Sequence, residues 1–76
     1  MRMSEYRDEV MEARIKFLRA FDQYPQHLFA SPQWALDVSL ALANELGSPP
    51  QSIAGKGFYN MVIHVVPTLD GRFLVA

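Results

Sequence analysis

Phe58-Tyr59-Asn60-Met61-Val62-Ile63-His64-Val65-Val66, then Pro67-Thr68-Leu69-Asp70-Gly71, then Arg72-Phe73-Leu74-Val75-Ala76, is the stretch that decides the fold class. The residues before Pro67 are dense in β-branched and aromatic side chains, the composition of a strand. Read with a period of two, Tyr59, Met61, Ile63 and Val65 form an apolar face, and Phe58, Asn60, Val62, His64 and Val66 a mixed one. The apolar face is expected to cover helices. Pro67 ends the strand, Thr68 to Gly71 has the form of a type I turn with glycine in the left-handed position, and residues 72–76 read as the returning strand.

Upstream, the periodicity changes to that of helices. Tyr6, Val10, Ala13, Phe17, Phe21 and Tyr24 recur at spacings of three and four, which predicts an amphipathic helix over residues 4–23. Ser4 is its expected N-cap, with Glu5, Asp8 and Glu9 placed where the helix dipole favours negative charge. Pro25 puts the stop nearby. Residues 26–30 read as a connector. Ser31-Pro32 is a strong helix start, and Gly47 with Pro49-Pro50 a strong stop, so a second helix is predicted over residues 32–46. Its apolar residues point nearly all round the axis, which predicts burial on several sides. Residues 47–57 read as a loop. The sum is a single α+β domain over residues 1–76, ordered α-α-β-β, with two helices packed on one face of a small antiparallel sheet.

The predicted strands are unequal. The return strand can pair with only the near half of the first, leaving Phe58 to Val62 without a partner there and the opposite edge open. From Phe58 to Val66 there is no Lys, Arg, Asp or Glu to protect that edge. The N-terminal residues, the loop, or another chain could fill the gap. The third remedy gives a homodimer or other obligate protein partner, joined at the long strand into a four-stranded sheet. A chain of 76 residues with no cysteine cannot staple itself with disulfides, which strengthens the expectation of a partner.

Composition narrows the function classes. Net charge is −1, so no overall basic field draws the chain to nucleic acid. No apolar run approaches a membrane span, and the charged N-terminus does not read as a signal peptide, so a cytoplasmic setting is expected. Gly55-Lys56-Gly57 leads into a strand, the reverse of a phosphate loop. His64 beside Asn60 and His27 beside Tyr24 and Phe29 lack the spacing of any catalytic or metal motif, and two histidines without cysteine make a poor structural metal site. No catalytic residue, metal, cofactor or small-molecule ligand is therefore assigned, and an enzyme is not expected.

The reading that remains is a non-enzymatic protein–protein interaction module, such as a small regulator, adaptor or inhibitor. Two sets of residues are candidates for its contact surface. Met11, Ile15 and Leu18 form a second apolar stripe on the first helix, to be set against a plainer role in a wide core-facing surface. Phe58, Asn60, Val62 and His64 line the open strand. The alternative is a nucleic-acid-associated regulator using a local patch of Arg7, Arg14, Lys56 and Arg72. Against it, the second helix carries no Lys or Arg with which to read bases or clamp phosphates.

Overall fold

The computed structural model describes residues 2–70 and 72–76. The chain is α+β, with helix α1 at Met3–Phe21, strand β1 at His27–Ala30, helix α2 at Pro32–Leu46, and strands β2 at Gly57–Phe58, β3 at Met61–Val65 and β4 at Phe73–Val75. The four strands form one mixed sheet in the order β2-β3-β1-β4.

Strand β1 is the element that reorganises the expected hairpin. Residues 26–30 are not a connector. Between Pro25 and Pro32 lie four strand residues whose side chains alternate, Leu28 and Ala30 buried, His27 exposed and Phe29 half-buried. This strand pairs in parallel with β3, His27 opposite Val62 through Ala30 opposite Val65. The ladder continues at both ends, Val62 N–H donating to Gln26 O at 3.0 Å and Val66 N–H to Ala30 O at 2.9 Å. Because β1 fills that side of β3, the returning strand cannot lie there. Instead β4 runs antiparallel to the far side of β1, Leu28 opposite Val75 and Ala30 opposite Phe73. The sheet is therefore mixed, and the two C-terminal strands are not hairpin partners. A turn at Val66–Leu69, with Leu69 N–H donating to Val66 O at 3.1 Å and Pro67 inside it, begins the crossing over β1. The expected turn at Thr68–Gly71 includes Gly71, which lies outside the described residues.

The long strand over residues 58–66 is also interrupted. Tyr59 and Asn60 both have positive φ, 50° and 63°. Positive φ at two central residues is the signature of a type I′ turn, and it folds Gly57–Phe58 back antiparallel to Met61–Val62. Asparagine tolerates this conformation; tyrosine bears it with strain of order 1 kcal/mol. Next to this hairpin, Gly55 N–H donates to Ile63 O at 2.8 Å and Ile63 N–H to Lys56 O at 3.0 Å. The long strand that would have carried an open margin along Phe58–Val62 therefore does not form: Phe58 folds back onto Met61, β1 lines one side of Val62–Val65, and β2 and the loop line the other side of Met61–Ile63. That removes the premise of a dimer joined at the strand edge.

Helix boundaries follow local chemistry. The first helix starts one residue before the expected Ser4 cap. Arg2 occupies the N-cap position and makes no side-chain cap bond. It ends at Phe21, earlier than expected, because Asp22 adopts the left-handed conformation, with φ 55°, and donates its N–H to Leu18 O. The second helix matches its prediction. Ser31 Oγ accepts from Trp34 N–H, Pro32 takes the first turn, and Gly47 closes the helix with φ 65°. Ser31 Oγ also donates to Arg72 O at 3.2 Å, tying the helix start to the beginning of β4.

The core lies between the helices and one face of the sheet. Met3, Tyr6 and Val10 of α1 and Trp34, Ala35 and Val38 of α2 meet Leu28, Ala30, Met61 and Ile63, with Ile53 of the loop closing the cluster. Trp34 packs edge-on to Tyr6 at 6.1 Å and against Phe73 at 5.0 Å. The burial of α2 is one-sided, contrary to expectation. Leu36, Leu40 and Leu46 are exposed, since a single sheet face and α1 leave its outer flank uncovered. Burial of α1 is confined to its N-terminal half, and Ile15 and Phe21 further along are exposed.

Candidate functional site

The alternation that sends Leu28, Ala30, Met61 and Ile63 inward sends His27, Phe29, Val62, His64 and Leu74 to the opposite face of the sheet. Register assembles them into one surface. Val62 stands opposite His27, and His64 opposite Phe29, which in turn stands opposite Leu74. Both helices bury their apolar residues against the other face, so this one is open: Val62 is 42% exposed and Leu74 47%. None of the five side chains is a Lys, Arg, Asp or Glu. A polar outward face is the common pattern for a one-sided sheet, and here valine, phenylalanine and leucine stand in its place.

The two histidines lie at the centre of this surface. Nδ1 of His27 and Nε2 of His64 are 3.0 Å apart, a hydrogen bond in which one ring donates and the other accepts. The His64 ring stacks on Phe29 with centroids 5.1 Å apart and planes 23° from parallel. His27 is tilted against Phe29 at 6.1 Å. His27 and Phe29 lie on β1, flanked by β3 and β4, and His64 on β3 is paired to β1, so the spacing of the three rings is held by the β1–β3 ladder.

The sequence-derived candidates separate. Val62 and His64 belong to the open face. Phe58 has the inward parity, being opposite Met61, and packs against the core. Asn60 occupies the I′ turn. On α1, Met11 and Ile15 flank a shallow groove, but Asp8, Glu12, Lys16 and Arg19 line it with them, and Leu18 is half-buried. That stripe is broken by charge. Sequence reasoning missed His27, Phe29 and Leu74, because the strand that places the first two was read as a connector. The available signal was the short apolar run Leu28-Phe29-Ala30 between Pro25 and Pro32.

The four basic residues are engaged separately. Arg7 grips Glu45 with both guanidinium arms, at 2.9 and 2.6 Å, clamping α1 to α2. The hydrogen bonds from Arg7 hold the Glu45 carboxyl below its ordinary value, and the same bonds raise Arg7. Arg72 forms a close ion pair with Glu9, linking the start of β4 to α1. Arg14 lies over the Tyr24 ring, 4.1 Å from its centroid, and Lys56 reaches Gln51. Two of the four charges are thus offset by carboxylates. Among the described residues, no three histidine, cysteine or acidic side chains cluster, and no helix is long and apolar enough to cross a membrane. No known protein family, curated protein or solved structure matches this chain.

Proposed function

We propose that this chain is a non-enzymatic protein–protein interaction module, acting as a small regulator, adaptor or inhibitor, and that its contact surface is the open sheet face. One observation carries this reading: a rigid sheet face bearing Phe29, Val62 and Leu74 is left uncovered while the other face holds the entire core. Contiguous exposed apolar surface on a folded domain is the usual mark of a contact site. The occupant we assign is a second copy. The surface carries no Lys, Arg, Asp or Glu, so two copies meet face to face across a two-fold axis with no formal like-charge clash from these side chains, and each brings an imidazole pair able both to donate and to accept. This replaces the edge-joined dimer with a face-joined one. A cytoplasmic setting accords with the cysteine-free composition. The nucleic-acid alternative has weaker support, since Arg7 and Arg72 each face a carboxylate.

The test is oligomeric state. Light scattering on a sizing column is expected to give a concentration-dependent mass approaching twice the 8.6 kDa chain. Val62→Lys, which puts a charge on the face without touching the core, is expected to return it to one chain with an unchanged circular dichroism spectrum. An identical mass for both proteins at every concentration would contradict the reading.

A further inference from the structure

We infer that His27 and His64 form a two-histidine binding site for a first-row transition-metal dication such as zinc, held through Nδ1 of His27 and Nε2 of His64. This is independent of self-association and rests on the geometry of the ring nitrogens. Two imidazole nitrogens on one tetrahedral zinc, each about 2.0–2.1 Å from the metal, stand about 3.3–3.4 Å apart. The observed separation is 3.0 Å, so small ring rotations open the gap enough to admit the ion.

Placement favours it further. Both rings rise from paired, central strands whose register is fixed, and His64 is steadied by stacking on Phe29. Preorganised imidazoles on rigid elements bind with little ordering cost. No Lys or Arg occupies the neighbouring outward positions at Phe29, Val62 or Leu74 to oppose a cation. Imidazole suits zinc, copper and nickel and selects against magnesium and calcium, which want oxygen ligands. To receive the metal, the ring that donates in the free protein moves its proton to its other nitrogen, leaving both facing lone pairs for the ion. Among the described residues no third histidine, cysteine or carboxylate joins the pair, so the remaining positions go to water or to a second copy. The site is therefore open, unlike a closed structural zinc centre.

The probe is zinc ion titrated into the full chain free of any affinity tag, followed by calorimetry and by nitrogen-15 spectra of the histidine rings. Saturable binding at one zinc per chain, or one per two chains, is expected, with Nδ1 of His27 and Nε2 of His64 shifting together. His27→Gln and His64→Gln are each expected to weaken binding at least tenfold while the circular dichroism spectrum stays that of the folded chain. No binding with zinc in tenfold excess, binding that survives both substitutions, or shifts confined to the other ring nitrogens would overturn the site.

Discussion

At the residue scale, Ser31 shows how much one side chain can organise in a short chain. Its hydroxyl accepts from Trp34 N–H at the start of α2 and donates to Arg72 O at the start of β4, and its own N–H also reaches Arg72 O. It is 3% exposed, so water cannot take over these bonds if they are lost. Ser31→Ala is expected to cost about 1–2 kcal/mol in denaturant melts. A cost below about 0.5 kcal/mol would mean that the cap and the strand tie contribute little. This cap was readable from Ser31-Pro32 alone. The I′ turn was not, because Tyr59-Asn60 lacks the glycine that ordinarily announces it, and tyrosine enters the left-handed region only under the pull of the strands on either side.

Among elements, the long ones were legible and the short ones were not. Nineteen and fifteen residues give α1 and α2 enough turns for their periodicity to show. Four residues give β1 only two inward side chains, and two give β2 no pattern at all. The consequence for the site was direct: Val62 and His64 were identified, but their neighbours across the ladder were not. The apolar girdle of α2 was read as burial, whereas one sheet face and one helix cover only part of it. This divides its exposed leucines, Leu36, Leu40 and Leu46, from the core leucine of β1. Leu28→Ala, at a site with 0% exposure, is expected to cost about 2–5 kcal/mol. Leu36→Ala, at 52% exposure, is expected to stay within about 0.5 kcal/mol. Chemical denaturation of both variants checks this, and equal losses would mean that α2 is rotated from the position described.

For the whole molecule, size and shape agree with a domain that leaves apolar surface to spare. Compact monomers of this mass expose about 4,700 Å² and have a radius of gyration of about 11.4 Å. This chain exposes 5061 Å² and has a radius of 12.2 Å. The exposed apolar residues include Phe21 on the distal half of α1, at 65%, and Val62 and Leu74 on the sheet face. The helix surface is interleaved with charge; the sheet face is not, which is why self-association is assigned there. A dilution series followed by amide nitrogen-15 spectra reads that assignment residue by residue. The account predicts concentration-dependent shifts concentrated at His27, Phe29, Val62, His64 and Leu74, with the amides of α1 and α2 unmoved. Shifts centred on Phe21 or Leu36 instead, or none over the whole series, would contradict it.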